Sequence, residues 1–231
     1  MSGFPEKAVN HQLKQLNVDY IDLYLIHSPW SLVPTNDPWI MSKKTNADGS
    51  LMMADIPIVD TWKELERLVD SGKLKSLGVS NFSEKQIESI LAVCKHRPQM
   101  NQVECHPLLA QSKLISYCHE NQIHVTAYSP LGSNSRDIVG TKNPLDLLQN
   151  EKLTSMGAKY HKSSAQILLK YQISRGVIVI PKSSQKHRIE SNFNLLGWEL
   201  DKTDLAIINE MDRNIRGWTE ERVKHSMYFP W

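Results

Sequence analysis

Several groups of polar residues in this chain stand where chemistry could be done, each just after a short run of apolar β-formers. His27-Ser28 closes the run Tyr20, Ile21, Leu23, Tyr24, Leu25, Ile26, broken only by Asp22. An imidazole there could orient a polar group of a ligand, or it could be a satisfied core histidine. Ser80, Asn81 and Gln102 together offer the donors and acceptors that a carboxamide requires. Tyr128 offers a flat ring on which a planar heterocycle could stack. Ser129, Gly132 and Ser133 form a small-residue turn whose backbone N–H groups could meet a diphosphate. Lys182, Ser183 and Arg188 make a local cationic cluster suited to a phosphate monoester. A G-x-G-x-x-G stretch is absent, so a dinucleotide would need a different cradle. Glu104-Cys105-His106 is a further polar strand end, but no second ligand pair follows at metal spacing, so no metal site is expected. For every one of these groups the plain alternative is that strands end where polar residues begin.

The elements that would position them alternate. Residues 20–26, 75–79, 99–104, 123–128 and 177–180 read as strands. Residues 6–17 read as a helix with Ala8, Val9, Leu13 and Leu16 at helical spacing. Residues 59–71 form another on Val59, Trp62, Leu65, Leu68 and Val69, with Gly72 as its C-terminal cap. Ser83 followed by Gln86 is a capping box opening a helix over 83–94. Helices are also expected at 111–121, 152–160, 163–174, 185–196 and 203–212. Residues 30–57 read as a long polar loop, 134–150 begins as a loop, and 213–231 shows no periodicity. Strand followed by helix, repeated, means a parallel sheet, either open and doubly wound or closed as a (β/α)8 barrel. Both folds keep their chemistry at the carboxyl ends of the strands, where the polar groups fall. The near-continuous apolar run before His27 suits a strand buried on both faces. No repeat or linker divides the chain, so residues 1–231 are expected to form a single domain.

Composition excludes several classes of function. The 231 residues carry 27 basic and 25 acidic side chains, scattered without a stripe, which argues against nucleic-acid or polybasic membrane binding. Three cysteines are too few and too unpatterned for a disulfide framework. No apolar stretch is long enough to span a bilayer, and the first ten residues do not read as a signal peptide. A reduced, cytoplasmic protein is expected.

Taken together the motifs are far more specific than any one of them. LYLIHSP (23–29), GKLKSLGVSNF (72–82), NQVECHPLL (101–109), VTAYSPLGS (125–133) and IPKSSQKHRIESNF (180–193) resemble the aldo-keto reductase superfamily, in the same order and at similar spacing. The resemblance implies a (β/α)8 barrel that binds NADPH and reduces a small-molecule carbonyl substrate. It makes His27 the active-site histidine that orients the carbonyl. It assigns Ser80, Asn81 and Gln102 to the nicotinamide carboxamide, Tyr128 to the stacked ring, and Ser129, Leu131 and Ser133 to the pyrophosphate. Lys182, Ser183 and Arg188 would surround the adenosine 2′-phosphate, favouring NADP over NAD, and Asn192 would contact the adenine. Two positions depart from the family pattern: Ser28 stands where a tryptophan is usual, and Ser191 where a glutamate is frequent.

The family's catalytic motif, Asp-x-Ala-x-x-Tyr-x-Asn-Glu, and the strand bearing its lysine occur nowhere in the 231 residues. The resemblance therefore implies an incomplete, N-terminally truncated barrel with about five of eight strands. Carbonyl reduction is expected to be weak or absent, and a non-catalytic NADP(H)-binding or partner protein is the alternative. Relatives of full length are usually monomeric. Here the outer edges of the first and last strands are expected to be exposed and to promote self-association.

Overall fold

The computed structural model describes residues 4–33, 44–132, 146–219 and 221–231. In chain order its elements are α1 (Phe4–Leu16), β1 (Ile21–Ile26), β2 (Ser31–Leu32), β3 (Met53–Ala54), α2 (Ile58–Asp70), β4 (Leu74–Ser80), α3 (Glu84–Leu91), β5 (Met100–Glu104), α4 (Ser112–Glu120) and β6 (His124–Tyr128). There follow a 3₁₀ turn (Leu147–Gln149), α5 (Glu151–Tyr160), α6 (Ser164–Ser174), β7 (Val177–Val179), α7 (Lys186–Phe193), α8 (Lys202–Asn209) and a second 3₁₀ turn (Glu221–Val223). The sheet order is β1-β4-β5-β6-β7, as alternating strands and helices require. β1 pairs parallel with β4 (Ile26 opposite Val79), and β6 with β7 (Ala127 opposite Val179).

The chain forms two compact units. One comprises Met1–Asn101, Glu120–Ile123 and Glu220–Trp231, the other Gln102–His119 and His124–Thr219. No linker-like composition marks the division, because it passes inside β5.

In the first unit, α2 lies on β4, and α1, whose Val9 and Leu13 are buried, packs against α2. Trp62 is fully buried, and its Nε1–H donates to the His96 carbonyl at 3.2 Å. Leu65, Leu68, Leu77, Phe82, Ile87 and Ile90 of the same unit are buried as well. Gly72 ends α2 with φ of +80°, a conformation glycine adopts without a Cβ penalty. The Ser83 N–H donates to Gln86 Oε1 at 3.0 Å at the start of α3.

Two expectations need correction here. β1 is not buried on both faces: its residues are half-buried, with Asp22 exposed, because it stands at the sheet edge. Residues 30–57 are not simply a loop. Ser31 pairs with Ala54 and Leu32 with Met53 in an antiparallel ribbon, whose two-residue strands are too short to show alternation. The end of the chain is also ordered by contacts that no period could signal. Gln86 donates to the Tyr228 carbonyl at 2.7 Å, and the Phe229 ring stacks on Trp30 with centroids 6.2 Å apart.

In the second unit, Leu153, Met156, Ile167, Leu168, Tyr171, Leu200 and Ile208 form one core cluster. α6 is its centre, packing against α5, β7 and α7. A reciprocal capping box opens it: Ser163 N–H donates to Gln166 Oε1 at 3.0 Å, and Gln166 N–H to Ser163 Oγ at 3.2 Å. Lys170, 4 % exposed, is compensated by Glu199 Oε1 at 2.7 Å and the Leu195 carbonyl at 3.2 Å.

Candidate functional site

In the first unit, the parallel register of β1 and β4 brings His27, just after β1, to the same end as Ser80, the last residue of β4. His27 is exposed, so it is not a core histidine. Asn81 adopts a left-handed φ of +63°, which asparagine tolerates better than most residues. From there its Nδ2 donates to the His27 carbonyl at 3.0 Å and to Ser80 Oγ at 3.2 Å, locking the two strand ends together.

In the second unit, Gln102 lies in β5 and Tyr128 is the last residue of β6, both half-buried. The chain then turns sharply. Ser129 takes φ of +50° and Gly132 +75°, and the Gly132 N–H donates to the Ser129 carbonyl at 3.0 Å. A pocket of about 800 Å³ opens beside this turn. It gathers Ser129 and Leu131 together with Lys182, Ser183, Arg188 and Asn192, which lie beyond β7 and on α7. Ser133 falls outside the described residues. Lys182 and Arg188 are exposed cations, and the Ser183 hydroxyl accepts from the Gln185 N–H at 3.1 Å just ahead of α7.

The pocket also includes residues that sequence reasoning did not single out. Ser163, Ser164 and Ala165, at the start of α6, line it, and a helix N-terminus favours anions. The sequence locates this helix start at residue 163, and the Ser163-x-x-Gln166 spacing is its capping signal, but neither shows that the start faces a cavity. Ser191, already marked in the sequence as standing where a glutamate is frequent, lines it as well. Trp218 lines it too, and its ring meets Tyr128 edge-on at 6.4 Å between centroids and 87° between planes. No sequence period points to Trp218.

The polar strand end Glu104-Cys105-His106 behaves differently: all three residues are at most 1 % exposed. Burial pushes the Cys105 thiol up to about 11, so it is no thiolate near neutral pH. Among the described residues there is no group of three or more His, Cys, Asp or Glu placed to hold a metal ion.

Cations, hydroxyls, a tight turn and a helix start around one cavity suit a phosphorylated ligand, and the volume lies within the usual range for small-molecule sites, about 300–1,000 Å³. The donor set thus fits the phosphates of a dinucleotide such as NADP(H).

Fold and pocket together define an α/β protein with a phosphate-suited cavity beyond the carboxyl ends of its strands. The chain belongs to the Aldo/keto reductase family, which it matches over residues 4–213. It is 40 % identical over 211 residues to aldo-keto reductase family 1 member A1-A of Danio rerio, covering 91 % of this chain and 64 % of that protein. To estradiol 17 beta-dehydrogenase 5 of Mus musculus it is 39 % identical over 226 residues, covering 96 % and 68 %. The aldose reductase structure from Schistosoma japonicum superposes with a TM-score of 0.87 at 35 % identity, covering 98 % of this chain and 71 % of that one. The fold is therefore of the (β/α)8 barrel type, with a parallel sheet of five strands among the described residues. The chain spans 64 % of the length of the first of these relatives.

Proposed function

We propose that the protein is an NADP(H)-binding oxidoreductase of this family, acting on aldehydes or ketones. The pocket that joins Lys182, Ser183, Arg188 and Asn192 to the Ser129–Gly132 turn supports this reading most. NADPH bound there would supply the hydride for reduction of a carbonyl to an alcohol. Lys182 and Arg188 would pair with the 2′-phosphate, the group that distinguishes NADP from NAD. The Ser129 and Leu131 turn would hold the pyrophosphate, Asn192 the adenine, and Tyr128 the nicotinamide ring. Gln102 would bind the carboxamide, a role the family resemblance also gives to Ser80 and Asn81. His27, exposed at the end of β1, would orient the substrate carbonyl. Cytoplasmic residence belongs to this reading: all three cysteines are free, two of them buried.

Proton delivery limits what these 231 residues do by themselves. They contain no Asp-x-Ala-x-x-Tyr-x-Asn-Glu stretch, hence no tuned tyrosine acid of that kind. General-acid assistance is typically worth about 10²–10⁴-fold, so turnover by these residues alone is weak. The same feature favours a second reading, a protein that binds NADP(H) without catalysis. Fluorescence titration with NADPH, followed by NADPH consumption with an activated aromatic aldehyde, decides between them. Tight binding with slow turnover supports the weak enzyme, and binding without turnover supports the non-catalytic binder. Turnover comparable to a family member that carries the motif would refute the proton-delivery argument, and failure to bind NADPH would refute both readings.

A further inference from the structure

Glu104 is a buried carboxylate that the proposed reaction does not use. It is 1 % exposed, yet it is well compensated. Oε1 accepts from the Gly217 N–H at 2.8 Å, and Oε2 from the Trp218 N–H at 3.2 Å. His106, fully buried, places Nε2 3.1 Å from Oε1, where it donates as the Nε2–H tautomer. Burial pulls the Arg216 pKa down, and the Glu104 charge opposes that shift. Four residues beyond the end of β5, the Leu108 carbonyl accepts from the Arg213 N–H at 3.2 Å and the Ile215 N–H at 3.0 Å. Residues 104–108 thus grip residues 213–218 through four backbone N–H groups. The last residue so held is Trp218, which meets Tyr128 edge-on and lines the pocket.

We propose that Glu104 is a positioning residue: by fixing the Gly217 and Trp218 amides it holds the Trp218 indole against Tyr128, and that pair sets how tightly the nicotinamide half of a dinucleotide is bound. A buried charge that accepts two consecutive amides fixes a segment far more firmly than neutral contacts do. An indole at 87° to the Tyr128 plane fixes the tilt of that ring. The inference rests on the dinucleotide reading and extends it to a segment distant in sequence.

The test compares NADPH with 2′-phosphoadenosine 5′-diphosphoribose, which lacks only the nicotinamide. Glu104→Gln puts an NH₂ group against one of the two amides at nearly constant shape. Trp218→Leu removes the ring partner, and Trp218→Phe keeps one. Glu104→Gln and Trp218→Leu are expected to weaken NADPH about five- to tenfold, and the nicotinamide-free probe by no more than about twofold. Trp218→Phe is expected to recover most of the loss. Equal losses for the two probes would mean a merely structural role and overturn the proposal, as would unchanged NADPH affinity or a Trp218→Phe protein no better than Trp218→Leu. A wild-type protein that binds neither probe overturns the dinucleotide reading and this inference with it, whereas a wild type that binds both with unaffected variants overturns only the inference.

Discussion

Lys182 and Arg188 stand exposed at one pocket with Ser183 and Asn192, and their value lies in charge rather than burial. Charge-assisted hydrogen bonds to a phosphate are worth about 1.5–3 kcal/mol when well formed. Solvent screening at an exposed site places the expected effect near the lower end. Lys182→Ala and Arg188→Ala are each expected to weaken NADPH about tenfold, and NADH, which has no 2′-phosphate, hardly at all. Titrating both nucleotides against both variants checks this, and an equal loss for NADH would show that the cations do not read the 2′-phosphate. These two residues were legible in the sequence because their chemistry is carried by type and close spacing alone. Glu104 and His106 were not: as a polar strand end they look the same in sequence as Tyr128-Ser129, yet they are buried. Whether a strand-end polar group faces a cavity or a neighbouring segment depends on what packs over it.

Between elements, two contacts carry measurable consequences. Lys159 of α5 reaches Asp201, the N-cap of α8, at 2.6 Å and Asp204 at 2.8 Å. The Lys159 hydrogen bond holds the Asp201 carboxyl down at about 2, against its ordinary 3.8. Because the folded pKa is depressed, this contribution is present in full above the ordinary value and is lost as pH falls towards 2. Asp201→Asn keeps the capping acceptor but cannot titrate. Its melting temperature is expected to fall less than that of wild type between pH 4 and pH 2, a window bounded by those two values; parallel declines would exclude the linkage. The second contact is a close approach within the first unit. A Cβ on Gly78 of β4 would lie 2.5 Å from Leu25 Cδ2 and 2.8 Å from the Met100 carbonyl oxygen. Gly78→Ala is therefore expected to destabilise by about 1–3 kcal/mol, as overpacking typically does, read as a lower denaturation midpoint. A neutral substitution would mean that β1 and β4 part without strain. The long amphipathic helices and the Gly72 stop follow from local spacing. The β2–β3 ribbon does not, since its strands have two residues each and their pairing joins positions far apart in the chain.

Among the described residues, β1 and β7 are the end strands of the five-stranded sheet that runs through the molecule. Tyr20, Ile178 and Ile180, in or beside them, are 45–47 % exposed. Apolar strand edges invite pairing with another chain. We propose that the 231-residue chain self-associates through these edges, and expect size-exclusion elution and light scattering to show a mass that rises with concentration. A constant monomer mass across the accessible range would refute this. Among the described residues no helix is long and apolar enough to cross a membrane.

The alternation of strands and helices, the family, and the residue types suited to a phosphorylated cofactor were all readable from the residues alone, because they are written in local period, composition and motif. The sequence also placed His27 at a strand end, without saying whether that histidine was buried. It took the folded chain to reveal that His27 is exposed, that β1 is half-buried at a sheet edge, and that the start of α6 and Trp218 join the Lys182 pocket. The fold likewise turned Glu104 from a candidate strand-end site residue into the clamp on residues 217 and 218. The physical reason is the same throughout. Hydrogen bonding along a helix or a turn involves neighbours a few residues apart, whereas burial and cavity walls are set by segments a hundred residues or more away, as Glu104 and Gly217 are.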